Sequence, residues 1–155
     1  MSLADLYARP GHLIRRAHQI SWALFLDECA AFGITPVQYS ALVAIGERPG
    51  VDATRLSAMI AFDRSTIGNV IERLETRGLV ARRPSAEDKR QKLLYLTATG
   101  EQLVGDVEDP VTRVQDRLLA PLSEKERKTF VALLQKLTTE NNEVTSAPLR
   151  IDDRP

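Results

Sequence analysis

The chain has 155 residues, 43% of them hydrophobic and 27% charged, so it can bury one core without disulfides or a structural metal. Its 21 basic and 21 acidic side chains cancel, and a basic face balanced by acid elsewhere stays compatible with a nucleic-acid partner. A single cysteine excludes internal disulfides, and no apolar run approaches the roughly 20 residues of a membrane helix. We therefore expect a cytoplasmic protein without membrane contact and without a cofactor.

The first helical pattern runs from about residue 11 to residue 32 and ends at Gly33. Its apolar stripe is centred near Ala17, whereas Arg15 and Trp22 project almost opposite to that stripe. A large aromatic side chain that faces away from its own core needs a cover. A partner subunit and a bound ligand are the two alternatives.

Three shorter helices follow, each with a clear start signal. Thr35-Pro36 opens the second helix, which ends at Pro49-Gly50. Asp52 caps a short third helix, and Asp63 caps a fourth that runs from about 64 to 77. Two short helices joined by a tight turn are typical of a helix-turn-helix.

The start of the fourth helix carries the residue types that read DNA. Ser65, Thr66 and Asn69 share one surface, and such short polar side chains can reach base edges in the major groove. Arg64 and Arg73 are placed for phosphates, which position a protein without reading sequence. The alternative is an ordinary polar first turn, because Ser and Thr often follow a capping aspartate.

The segment after the fourth helix is predicted to be a β-hairpin, with strands over about 79–83 and 92–97. Eight basic and five acidic residues lie between positions 63 and 92, an excess of three positive charges. Lys89 and Arg90 occupy the tip, and Arg90 is expected to enter a minor groove while Asp88 holds it in position. A solvated charged loop is the alternative interpretation.

Two further helices complete the pattern. Thr97 caps a fifth helix, which Pro110 is expected to kink or split. Ser123 and Glu126 form a capping box for the last helix, whose apolar face carries Phe130, Leu133, Leu134 and Leu137. Beyond about residue 142 no periodicity is left.

The wing segment resembles a known family. Residues 88–100 match the signature D-x-R-x-x-x-L-x-L-T-x-x-G of the MarR family at all six specified positions, and residues 63–80 resemble its recognition helix and exit. The resemblance implies a mainly α fold with a small β-hairpin wing. It also implies a homodimer built from the first, fifth and sixth helices, which reads a pseudo-palindromic operator in double-stranded DNA with Ser65, Thr66 and Asn69 on bases and Arg90 in the minor groove.

On this basis residues 1–142 form a single MarR-like domain. The winged helix-turn-helix spans about 35–97, the dimerisation helices span about 10–33 and 98–142, and residues 143–155 form a loose tail.

Family resemblance also implies a signal that controls DNA binding. Residues 9–20 and 33–39 resemble the subgroup that controls degradation of aromatic acids. A pocket lined by Arg16, His18, Trp22 and Tyr39 would suit an aromatic carboxylate or its CoA thioester as effector, because it combines cationic and aromatic groups.

The alternative signal is oxidation of Cys29. Asp27 and Glu28 precede this cysteine and are expected to raise its pKa, and no second cysteine could resolve a sulfenic acid. We therefore favour a structural thiol.

No enzyme class fits the sequence. His12 and His18 lack a nearby third ligand for a metal site, and neither a nucleophile elbow nor a phosphate loop is present. A winged-helix adaptor that binds proteins but not DNA is the rival, and it predicts no salt-dependent DNA affinity.

Overall fold

The computed structural model describes residues 2–151 and confirms a mainly helical fold with a small antiparallel sheet. The seven helices are α1 Leu3–Tyr7, α2 Pro10–Glu28, α3 Pro36–Glu47, α4 Ala53–Met59, α5 Arg64–Thr76, α6 Ala98–Leu119 and α7 Glu124–Glu140. The strands are β1 Val51–Asp52, β2 Val80–Pro84 and β3 Lys92–Leu96, and short 3-10 turns span Ala30–Phe32 and Asn142–Val144.

The predicted helix starts are confirmed. Thr35, Asp52, Asp63, Thr97 and Ser123 are the N-caps of α3 to α7, and each side chain accepts a backbone N–H of the first turn. These caps satisfy amide groups that have no partner inside the helix.

Three local features differ from the sequence-based expectations. A short α1 precedes α2, because the Ser2 hydroxyl accepts the Asp5 amide in a capping box that the prediction missed. The first long helix stops at Glu28, and the 3-10 turn that follows ends at Gly33, where φ is +60°. A third strand, β1, joins the hairpin.

The sheet has the order β1-β3-β2, and both pairings are antiparallel. The predicted hairpin pairs Val80 with Leu96 at its base and Pro84 with Lys92 near its tip. Val51 pairs with Leu94, so β3 is the central strand and ties the hairpin to the start of α4.

The core consists of two buried clusters. The larger one lies between α3, α4, α5 and the sheet and includes Leu42, Ile45, Leu56, Ile67, Leu74 and Leu94. The smaller one joins α2 to α6 and contains Phe25, Cys29, Ile34, Val107 and Val114.

Ion pairs reinforce the contact between α2 and α6. Arg113 donates to Glu28 at 2.8 Å, and Arg117 bridges Asp27 at 2.5 Å and Glu28 at 2.7 Å. Hydrogen bonds from Arg113 and then Arg117 hold the pKa of Glu28 below its usual range. The end of α2 is therefore fixed to the C-terminal part of α6.

The predicted split at Pro110 is wrong, since α6 is one continuous helix of 22 residues with Pro110 buried inside it. The proline ring removes one backbone donor, and the hydrogen bonds of the turns on either side are sufficient to keep the helix continuous.

Long stretches of α2 and α7 leave apolar side chains exposed. The predicted stripe of α2 does not face its own core over the first three turns: Leu13 is 54% and Ile20 46% exposed, and burial begins only near Phe25. No residue of α7 is buried, and Leu133 on its predicted apolar face is 61% exposed.

Residues 143–155 were predicted to form a loose tail; residues 152–155 lie outside the described residues, and the part up to residue 151 makes specific contacts. Asn142 exchanges two hydrogen bonds with the backbone of Leu149, at 2.8 and 3.1 Å, and Glu143 pairs with Arg150. The Arg150 amide donates to the Ala58 carbonyl at 2.9 Å, so residues 142–151 fold back onto α4.

The entry into α6 is a close contact between two backbone segments. The Thr97 hydroxyl donates to the Gly78 carbonyl at 2.6 Å and accepts the Gly100 amide at 3.1 Å, while the Thr97 amide donates to the Leu79 carbonyl at 3.1 Å. A Cβ at position 100 would lie 2.1 Å from the Leu79 carbonyl oxygen. Only glycine allows α6 to pass so close to the end of α5.

Gly100→Ala should therefore lower the free energy of unfolding by about 1–3 kcal/mol, because backbone atoms would have to move. Gly105→Ala is the matched control on the same helix, since its Cβ would meet nothing within 4 Å. Alanine at 105 should raise the stability by up to about 1 kcal/mol through helix propensity. Urea denaturation of both variants measures the difference, and equal stabilities would contradict the packing argument.

Candidate nucleic-acid interface

Helix α5 has one buried and one exposed face. Ile67, Val70, Ile71 and Leu74 anchor it in the larger core, as the sequence predicts. Arg64, Ser65, Asn69 and Arg73 are exposed, and Thr66 is half-buried. The five residues predicted to contact DNA along this helix are thus available at the surface or close to it.

Asp63 organises the first turn of α5. Its carboxylate accepts the Thr66 amide at 2.8 Å, the Ser65 hydroxyl at 2.6 Å and the Thr66 hydroxyl at 2.5 Å. These bonds, led by the one from Ser65, hold the pKa of Asp63 far below its usual range. Because both hydroxyl hydrogens point to Asp63, the Ser65 and Thr66 oxygens present lone pairs to the outside.

The other end of α5 is fixed by a contact that the sequence analysis missed. The Arg77 guanidinium donates to the Phe32 and Gly33 carbonyls, both at 2.8 Å. These carbonyls end the 3-10 turn after α2. Arg77 therefore has a structural role, which joins the end of α5 to the end of the 3-10 turn.

The hairpin tip is a compact turn. The Asp88 carboxylate accepts the Arg90 amide at 2.9 Å, which agrees with the predicted positioning role. Ser85 is buried, accepts the amides of Glu87 and Asp88, and donates its own amide to the Gln91 carbonyl. The roles of Ser85 and Gln91 were not predicted, although serine is a common residue of such turns.

Two wing arginines have partners, whereas the tip cations project outward. Arg82 pairs with Glu75 at 3.0 Å, and Arg83 stacks 4.9 Å from the centre of the Tyr95 ring. Lys89 and Arg90 are exposed, and neither enters an ion pair within residues 2–151. Within the wing, the exposed positive charge without an ion-pair partner therefore lies at and next to the tip.

The predicted effector residues are only partly brought together. His18 and Trp22 lie with ring centres 6.0 Å apart on α2, and Trp22 is 36% exposed. Tyr39 packs 6.0 Å from Phe25, and burial followed by the charge of Glu108 raises its pKa. Arg16 donates to Gln19 at 3.4 Å and has no hydrogen bond or ring contact to the other three within the described chain.

Cys29 is buried in the cluster between α2 and α6. Burial raises the pKa of its thiol, and the Glu28 carboxylate raises it further. Asp27 and Glu28 were predicted to raise this pKa; Glu28 does so, and burial is the larger cause. Both causes disfavour the thiolate that oxidation requires.

Within residues 2–151, no helix is long and apolar enough to cross a membrane. Over the same part of the chain, no group of three His, Cys, Asp or Glu side chains is placed to hold a metal ion.

Comparison with known proteins identifies the class. A model of the MarR family matches residues 32–91. The transcriptional regulator HosA of Escherichia coli O157:H7 is 33% identical over 126 residues, which cover 81% of this chain and 92% of HosA. The chain belongs to the MarR family of winged-helix transcription regulators, and it is similar to regulators rather than to enzymes.

Two solved structures extend the comparison. Bordetella bronchiseptica BpsR, whose DNA binding is regulated by 6-hydroxynicotinic acid, is 30% identical with a TM-score of 0.80 over 85% of this chain and 94% of BpsR. The transcriptional repressor CouR, bound to a 23-mer DNA duplex, is 27% identical with a TM-score of 0.82 over 89% of this chain and 98% of CouR. The winged fold is thus shared along nearly the whole of both proteins.

The burial of Cys29 leads to a chemical prediction. A disulfide reagent such as DTNB should react with less than one tenth of the native thiol in the time in which it titrates the urea-unfolded chain completely, because the buried thiol is both shielded and protonated. Absorbance of the released thiolate measures both rates. Rapid reaction of the native protein would contradict a structural role and would favour an oxidant sensor.

Proposed function

We propose that this protein is a transcription repressor that binds a pseudo-palindromic operator as a homodimer and releases it when an aromatic acid or its CoA thioester binds. The observation that carries the DNA-binding part is the combination of an exposed polar turn at the start of α5 with a basic wing tip. Family membership supports regulation of transcription, and the details below rest on the geometry of this chain.

The base-reading residues in this proposal are Ser65, Thr66 and Asn69. Since the hydroxyl hydrogens of Ser65 and Thr66 are donated to Asp63, their oxygens are suited to accept hydrogen bonds from the amino groups of adenine or cytosine. The Asn69 amide has both a donor and an acceptor, which matches the edge of adenine.

The phosphate contacts come from cations at both edges of this surface. Arg64 and Arg73 flank the exposed face of α5, and Lys89 lies at the wing tip. Arg90 is the residue proposed to enter the minor groove, because the bond from its amide to Asp88 fixes the backbone from which it projects.

The homodimer is supported by unpartnered apolar surface. Leu13, Ile14 and Ile20 of α2, together with Leu133 and Leu137 of α7, are 46–61% exposed in the single chain. A chain that exposes two such apolar helix faces to water would associate with a partner that covers them. A second copy that contributes the same faces covers them and places two recognition helices on one duplex.

The effector in this proposal binds next to α2. Trp22 supplies an aromatic face with His18 beside it, and Arg16 lies two residues before His18 on the same helix. Tyr39, at the start of α3, is the fourth residue. An aromatic carboxylate matches this combination of a cation and rings. Regulation of BpsR by 6-hydroxynicotinic acid, an aromatic acid, supports the same ligand class.

Arg90→Ala should weaken binding to a duplex that the wild-type protein selects from a random pool, and it should lower the slope of log affinity against log salt by about one. Arg82→Ala is the matched control, because Arg82 is a wing cation already paired with Glu75. Fluorescence anisotropy at several salt concentrations gives both quantities, and sedimentation tests whether the dimer is intact.

Equal loss in the two wing variants would remove the minor-groove role of Arg90. A wild-type protein that selects no duplex, and whose weak DNA affinity does not depend on salt, would instead favour the protein-binding adaptor.

Aromatic carboxylates should raise the melting temperature of the protein, because a ligand that binds only the folded state stabilises it by mass action. The panel contains benzoate, hydroxylated benzoates and their CoA thioesters, with hexanoate and hexanoyl-CoA as aliphatic controls of matched charge. The ligand that gives the largest shift should also release the selected duplex. Trp22→Ala should abolish the shift. An unchanged shift in that variant would place the effector elsewhere.

A further inference from the structure

The turn between α4 and α5 sets the direction in which the recognition helix points. Ala61 lies in this turn with φ at +54°, and it is the single non-glycine residue with a positive φ in residues 2–151. A side chain with a Cβ is disfavoured in this left-handed conformation, whereas glycine adopts it freely. The turn is therefore strained and needs support from its surroundings.

The C-terminal segment provides such support. The Arg150 amide donates to the Ala58 carbonyl at 2.9 Å, in the last turn of α4. Within the turn itself, the Ile60 amide at the helix cap and the Ala61 amide, at 3.4 Å, also donate to this oxygen. Carbonyls at the end of a helix lack the partners of the helix interior, and the bond from the tail, at 2.9 Å, is shorter than the bond from Ala61.

The segment is built to hold this amide in place. The side-chain amide of Asn142 donates to the Leu149 carbonyl and accepts the Leu149 backbone N–H. Both carboxylate oxygens of Glu143 accept hydrogen bonds from the Arg150 guanidinium. Leu149 and Ile151 line one groove together with Ala61 and the end of α7. Bonds between its two ends thus hold the segment 142–151 together, and its last residues lie next to the strained turn.

From these contacts we infer that residues 142–151 form a strap that positions the recognition helix for DNA, with the Arg150 amide as its point of attachment. This inference rests on the proposed DNA-binding function and adds to it a positioning element outside the DNA surface. The strap also joins α7 of the proposed dimer interface to the helix-turn-helix.

The test uses Arg150→Pro in the full chain, since proline lacks the N–H that bonds Ala58. Arg150→Ala is the matched control, because it keeps the N–H and loses only an exposed ion pair with Glu143. Arg150→Pro should reduce the affinity for the selected duplex by roughly fivefold, the effect of one hydrogen bond, and leave the affinity for a scrambled duplex unchanged. Arg150→Ala should stay within about twofold of wild type.

A rescue separates positioning from general stability. Ala61→Gly removes the strain, so adding Arg150→Pro to that variant should no longer lower the affinity for the selected duplex. Hydrogen exchange of the amides of residues 60–63 should be roughly fivefold faster in Arg150→Pro and unchanged in Arg150→Ala. The exchange measurement needs no DNA, so it tests the strap even if the protein selects no duplex.

Unchanged exchange in Arg150→Pro would overturn the inference. Equal losses on selected and scrambled duplexes, equal losses in the two Arg150 variants, or failure of Ala61→Gly to rescue would overturn it as well.

Discussion

The close approach of α6 to the end of α5 is the constraint on which the arrangement of the molecule depends. Thr97 bonds Gly78, Leu79 and Gly100, and the missing side chain of Gly100 lets two backbones meet. Thr97 follows directly after β3, is the N-cap of α6 and bonds the two residues through which the chain leaves α5. Helix α5, the wing and α6 therefore share one rigid corner, which gives a physical reason for the T-x-x-G part of the family signature.

Two further contacts extend this rigidity to α2. At the end of α5, Arg77 donates to the carbonyls of Phe32 and Gly33. The arginines of α6 form ion pairs with Asp27 and Glu28 at the end of α2. Each ion pair is partly exposed and contributes little alone. Their importance is geometric. Together with the buried cluster around Phe25 they fix α2 to α6, while Arg77 fixes the turn after α2 to the end of α5.

Sequence reasoning succeeded where an interaction spans a few residues. The caps at Thr35, Asp63 and Thr97 follow from side chains that bond amides three residues away, and the alternation of buried positions in α5 follows from the helical period. The wing was predicted for the same reason, since its two strands and the polar turn between them follow one another directly in the chain. Family membership could be recognised because these local features occur together at fixed spacing.

Contacts between residues that lie far apart in the chain could not be predicted from the sequence. Nothing near Arg77 indicates that its guanidinium bonds carbonyls 44 and 45 residues earlier, and the unperiodic tail gave no sign that Arg150 bonds Ala58. The stripe on α2 was predicted to be core because a helical period shows that a face is apolar, but not which surface covers it. Leu13 and Ile20 show that this face lies uncovered in the single chain.

The contact between Arg77 and Gly33 also suggests how an effector beside α2 could reach DNA. The proposed effector residues lie on α2 and at the start of α3, and the segment that joins these helices contains the two carbonyls that accept hydrogen bonds from Arg77. Under the proposed function, a ligand that displaces α2 from α3 must either break these two bonds or carry the end of α5 with it. Where the two bonds hold, α5 moves together with the wing and the start of α6, because Thr97 fixes it to both. In the proposed dimer, such a movement would change the spacing of the two α5 helices and leave the residues that face DNA on each helix in place.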